Sequence, residues 1–201
     1  MSARPPWADA EAGIGIRSAN PDDRTALTGF LAAMDPGGLY ERHFAHGDAP
    51  NLALLDRLYS ADGHDRKVLL AVGADATVIG HAEYVAEGGA AEFALMVLPD
   101  WRDCGLGKAL LSALLVAATA AGLSEMHGLI LATNTRATMV ARKLGFGFRR
   151  GEDSRTVIVS RPLSRRPVPG LPEAERGTTP ELPDAFHHDP DRTALHRCPI
   201  P

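Results

Sequence analysis

The chain has 201 residues, a formal net charge of −4 and two cysteines. That length suits one domain with a sizeable core, while the acidic balance gives no electrostatic case for nucleic acid. Two cysteines build no disulfide framework, no basic-then-apolar leader begins at Met1, and the most apolar run, Leu106 to Ala121, is broken by Lys108, Ser112 and Thr119, short of a membrane span. The expectation is a soluble, cytoplasmic protein that partners neither membrane nor nucleic acid.

Residues 1–12 read as a flexible N-terminus. Ile14 to Arg17 reads as a short strand. Asn20-Pro21-Asp22-Asp23 supplies an N-cap, a proline at the first helical position and two first-turn acids, so a helix is expected to about Met34. Residues 38–44 and 52–59 read as further helical pieces. Lys67 to Val72 and Thr77 to Tyr84 read as paired strands turning at Gly73-Ala74-Asp75. Ala91 to Leu98 is a strand, and a glycine-bearing loop then opens the helix Leu106 to Ala121. A strand at Gly128 to Ala132, a helix from Asn134 to Leu144 ended by Gly145, and a last strand at Thr156 to Ser160 complete the pattern. The sum is an α/β or α+β fold, a mixed sheet with helices on both faces. The domain is expected to span 13–163. From 164 to 201 the composition turns proline-rich and charged with few large apolar residues, and reads as a disordered tail.

Arg102-Asp103-Cys104-Gly105-Leu106-Gly107-Lys108 follows a strand and begins a helix. The first helical turn has unpaired N–H groups and a partial positive charge, so it suits a pyrophosphate. Gly105 and Gly107 allow close approach of the backbone. The spacing R-x-x-G-x-G is neither the dinucleotide fingerprint nor the P-loop.

Val97-Leu98-Pro99-Asp100-Trp101-Arg102 with Asp103 to Lys108 resembles the V-x-P-x-x-R-x-x-G-x-G motif of the GNAT superfamily of N-acetyltransferases. Asn134, Ala137 and Lys143-Leu144-Gly145-Phe146 resemble that family's N-x-x-A and K-L-G-F. Ile16-Arg17, residues 39–44, Ala91-Glu92-Phe93-Ala94 and Ala141 to Phe146 further resemble bacterial protein-lysine acetyltransferases of the Pat type. The resemblance implies a mostly antiparallel sheet splayed at the cofactor site, acetyl-CoA as acyl donor, and an amine acceptor, possibly a protein lysine. It also implies that Leu95, Met96 and Val97 run beside the pantetheine arm and that Asn134 contacts the cofactor. An Asn at that place also caps a helix.

Acetyl transfer to an amine requires a held donor, a polarised thioester and a deprotonated nucleophile. Main-chain N–H groups from Arg102 to Lys108, with the Arg102 and Lys108 side chains turned inward, meet the first requirement. Pro99 has no N–H to pair, so the strand is expected to splay there and free the N–H of Val97 or Leu98 for the thioester oxygen. Glu92 shares a strand face with Ala94, Met96 and Leu98 and is the expected general base, its basicity raised by burial. The alternative is a solvated or salt-bridged Glu92 at the strand's start. Leu129 and Ala141 stand where many relatives of the motif carry a Glu and a Tyr proton donor; Tyr84 is a substitute donor or a core aromatic. Cys104 reads as a loop thiol, and His187, His188, Asp189, His196 and Cys198 fit no standard zinc spacing, so no metal is expected. Direct transfer to a protein lysine leads; a small-amine acetyltransferase and an acyl-CoA-binding sensor are the alternatives.

Overall fold

The computed structural model describes residues 13–38 and 65–163. Seven strands form one sheet: β1 (Gly15–Ser18), β2 (Arg66–Val72), β3 (Val78–Glu87), β4 (Ala90–Val97), β5 (Glu125–Leu131), β6 (Gly147–Arg150) and β7 (Thr156–Pro162). Their order is β1-β2-β3-β4-β5-β7-β6, and every neighbouring pair is antiparallel except β4 with β5. Among the described residues they are joined by the helices α1 (Arg24–Ala32), α2 (Leu106–Ala120) and α3 (Thr135–Lys143).

Local chemistry explains the element starts. Asn20 accepts the Asp22 N–H, and Asp23 accepts the Asn20 N–H at 2.8 Å, a reciprocal cap that opens a short 3-10 turn leading into α1. The helix expected from Asn20 thus begins as that turn. Gly88 and Gly89, both at positive φ, make the tight β3–β4 turn. Ile14 to Arg17, the β2 strand and the strand at 156–160 fall close to expectation. The strand β6, with all four residues exposed, is an addition the sequence pattern did not signal. The helical pieces expected at 38–44 and 52–59, apart from Gly38, and both termini lie outside the described residues.

The core has two halves, one on each face of the sheet. On one face α2 and α3 cover Leu69, Ala71, Ala82, Tyr84 and Ala91 with Leu106, Leu110, Leu114 and Ala141. A Cβ at Gly80 would stand 2.8 Å from Leu110, so α2 lies tight against β3. On the other face Leu27, Phe30, Leu31 and Met34, from α1 and the turn after it, pack on Val68, Leu70, Val78 and Met96.

The middle of the sheet comes apart. β4 and β5 pair over only three rows, Ala90 with Glu125, Ala91 with Met126 and Glu92 with His127. Beyond Glu92, β4 keeps its β3 neighbour as far as Val97, while β5 continues against β7. The split therefore starts at Phe93, not at Pro99 as the proline suggested. A ring, not a missing N–H, marks the place: Phe93 lies over Gly128.

Candidate active site

A cleft of about 470 Å³ fills this split. Side chains from both faces of β4 line it: Glu92, Ala94 and Met96 from one, Phe93, Leu95 and Val97 from the other. A strand offers both faces to one cavity only where its edge is uncovered. The opposite wall is Leu129 and Ile130 of β5 with Asn134, Ala137 and Val140 at α3.

The uncovered edge has a definite polarity. Leu98 N–H donates to the Ile79 carbonyl at 3.0 Å, and Ala86 N–H to Asp65 at 2.7 Å. Antiparallel alternation then directs the peptide groups of Leu98 and Met96 toward β3, and those of Phe93, Leu95 and Val97 toward the split. Leu98 is thereby withdrawn as a donor to the thioester; Leu95 and Val97 are the N–H groups that face the cleft. The Val97 carbonyl accepts from Arg102 Nε at 3.2 Å.

Past β4, Pro99–Trp101 makes a 3-10 turn and the glycine loop follows. Asp103 (φ 61) and Gly105 (φ 90) both take left-handed torsions, and the first intrahelical bond runs from Ala109 N–H to Gly105 O. Gly105 caps α2 without a side chain, so the N–H groups of Leu106, Gly107 and Lys108 are left to an external acceptor. A Cβ at Gly107 would sit 3.5 Å from Leu95 and 3.8 Å from Val97, so this helix end adjoins the open edge. The Leu106 side chain itself is buried in the core and offers only its backbone.

Arg102 does not turn toward that cradle. Its guanidinium clasps Asp35, just beyond α1, and the hydrogen bond holds the Asp35 carboxyl below the usual carboxylate range. The expected inward charge is replaced by a brace between α1 and the end of β4. Lys108 is half-buried on the first turn of α2. Asp103 pairs with Arg136 of α3 at 2.9 Å, linking the loop to the far wall. Cys104 donates to the Trp101 carbonyl at 3.0 Å. Asn134 caps α3 by accepting the Ala137 N–H at 2.9 Å, which leaves its amide NH2 as a donor beside the cleft.

Glu92 lines the cleft on the α1 face, in the last row before the strands part. It is exposed, so the burial expected to raise its basicity is not there. The buried acid is Glu83 on β3, 3% exposed, also lining the cleft and 3.5 Å from Arg66. Sequence reasoning passed over it; its signal was a carboxylate within the apolar run from Val78 to Val85. Tyr84 has no exposed surface and packs under α2 on the face away from Glu92, which removes it as a donor to the cleft. Ala141 is fully buried, and Leu129 is an exposed wall residue. Among the described residues no cluster of three His, Cys, Asp or Glu side chains could hold a metal, and no helix is long and apolar enough to cross a membrane.

A sheet split beside an uncapped helix start, with an edge offering alternating peptide groups, fits a thioester-linked pantetheine arm and its diphosphate. These are the features of an acyl-CoA-dependent N-acetyltransferase. A family profile described as "Acetyltransferase (GNAT) family" matches residues 38–146. The chain belongs to the GNAT acetyltransferase family, and acetyl-CoA is its cosubstrate.

Solved structures share the fold. The GNAT domain of S. lividans PAT is 21% identical and matches 80% of this chain and 100% of its own, with a TM-score of 0.69. The PaiA N-acetyltransferase of Thermoplasma acidophilum, solved with coenzyme A, is 20% identical over 74% of this chain and 98% of its own (TM-score 0.60). YncA of Salmonella typhimurium, solved with acetyl-CoA, is 21% identical over 78% of this chain and 98% of its own (TM-score 0.57).

Proposed function

We propose that this chain transfers the acetyl group of acetyl-CoA to the side-chain amine of a protein lysine, with Glu92 as general base. The observation that carries this reading is the position of Glu92. It is the last β4 residue with a partner on β5, and its carboxylate face opens onto the cleft. A thioester lying along the open edge of β4 meets an amine arriving from the α1 face at that row.

The chain's residues divide the work. N–H groups of Leu106, Gly107 and Lys108 take the diphosphate, and peptide groups of Leu95 and Val97 take the amide-bearing arm and the carbonyl oxygen as it gains charge. Glu92, exposed at the cleft, accepts a proton from the ammonium directly or through one water. The free amine attacks the thioester carbon, a C–N bond forms, the C–S bond breaks as the thiolate leaves, and the nitrogen's second proton passes to solvent. With Ala141 and Tyr84 both in the core, solvent supplies the thiolate's proton. The lysine assignment rests on the Pat-like segments Ala91 to Ala94 and Ala141 to Phe146.

The test is acetyl-CoA binding by calorimetry together with thiol release on protein and small-amine acceptors, for the parent and Glu92→Gln. Retained binding with turnover lowered about 100-fold supports the base. Undiminished turnover removes Glu92 from that role. Turnover on small amines alone removes the lysine, and binding without turnover on any acceptor makes the chain a sensor.

A further inference from the structure

Glu92 lies in a cross-strand row with Val85 of β3 and Arg66 of β2, all three side chains on the α1 face. Two strand spacings separate Arg66 from Glu92, about 10 Å between Cα atoms. An arginine and a glutamate span that gap end to end over Val85, which is 37% exposed and builds no wall between them. Yet Glu92 makes no ion pair among the described residues. Arg66 leans one row along the sheet instead, to Glu83, which stands opposite Val68 and Ala94. The two acids and the arginine line the same cleft.

We infer that Glu83 is a positioning residue: it holds the Arg66 guanidinium away from Glu92, so that the base meets the acceptor ammonium unpaired. This rests on the reading of Glu92 as base. Two observations give it force. Glu83 is buried where an unpaired carboxylate is costly, so the pair is held by its surroundings as well as by charge. Glu92 is exposed at the cleft and stands in the same cross-strand row as Arg66, within reach of a freed guanidinium. Pairing with Glu92 would stabilise its anion, lower its basicity and place a cation where the acceptor's ammonium must dock. The other titratable or charged groups on this side of the sheet include His81 and Glu87 of β3, Glu125 and His127 of β5, the Arg17–Asp23 pair, and the Arg102–Asp35 pair at the α1 end.

The experiment compares pH profiles of kcat/KM for the parent, Glu83→Gln, Arg66→Met and the double variant, with melting temperature and acetyl-CoA affinity for each. Glu83→Gln moves the acid limb to lower pH by about half a unit and lowers the plateau two- to three-fold. Arg66→Met removes the cation beside Glu83, keeps the like charge near Glu92, and moves the limb to higher pH. The double variant, with both charges gone, returns the limb to the parent position. A purely structural role would depress rate and melting temperature while leaving the limb in place, and that result overturns the inference, as does a double variant no better than Glu83→Gln. Should Glu83→Gln not fold, the upward limb of Arg66→Met and the parent limb of the double variant still decide; an unmoved Arg66→Met limb overturns it. Full activity in Glu92→Gln instead defeats the base reading, and the inference with it, which separates the two failures.

Discussion

Phe93 and Gly128 face each other one residue past the last backbone pair between β4 and β5: a Cβ built on Gly128 would stand 2.7 Å from a Phe93 ring carbon. The ring also meets Phe146 with centroids 5.4 Å apart. Space that a side chain on β5 would fill is therefore occupied from β4, and the two strands diverge around the ring. Gly128→Ala forces the ring aside. The expected result is a loss of about 1–3 kcal/mol, read as a lower melting temperature, and a raised KM for acetyl-CoA with a smaller change in kcat.

Gly105 sits at φ 90, a left-handed torsion that costs a side-chain-bearing residue about 1 kcal/mol. Gly105→Ala distorts the start of α2, where Leu106, Gly107 and Lys108 present their N–H groups. Calorimetry should show acetyl-CoA affinity reduced several-fold, while the far-UV spectrum holds.

Arg102 gives a prediction through salt. Its guanidinium is engaged by Asp35 and the Val97 carbonyl, not by the α2 cradle. Arg102→Gln should lower the melting temperature modestly and leave the dependence of acetyl-CoA affinity on salt concentration as in the parent. A clearly shallower salt dependence would show that this arginine reaches the diphosphate when the cosubstrate binds.

Asp23 gives a prediction through pH. Two Arg17 nitrogens reach it, one at 2.8 Å, and these hydrogen bonds hold its carboxyl below the usual range. The folded chain takes up that proton less readily than the unfolded chain. The resulting stabilisation is complete above the unfolded carboxylate value of about 3.9 and is lost as pH falls through the folded one. Asp23→Asn should cost about 2 kcal/mol near neutrality, and its melting temperature should fall less than the parent's between pH 5 and pH 3, since the contribution is already gone.

Local signals in the sequence were faithful. Asn20, Gly105 and Asn134 mark element starts through contacts within a few residues, and the structure places each at such a start. Alternation put Glu92 on the same face as Ala94 and Met96, and the cleft receives all three. What failed needed partners far along the chain. Pro99 suggested a break at the strand's end, but the split depends on Phe93 meeting Gly128, thirty-five positions on. Arg102 looked free to bind an anion because nothing near it in sequence competes, whereas Asp35 does so across 67 positions. Tyr84 and Glu83 are adjacent in sequence, and only the sheet's orientation against α2 decides which faces the core and which the cleft.

The order of the strands also constrains how the chain reaches this shape. β7, the last strand described, lies between β5 and β6, although both are made before it. As the polypeptide leaves the ribosome, β5 has only its short seam with β4 and β6 has no neighbour at all, until residues 156–162 slot between them. Two bare edges must then wait until residues 156–162 have emerged, and this interval is when nascent copies are most exposed to joining one another.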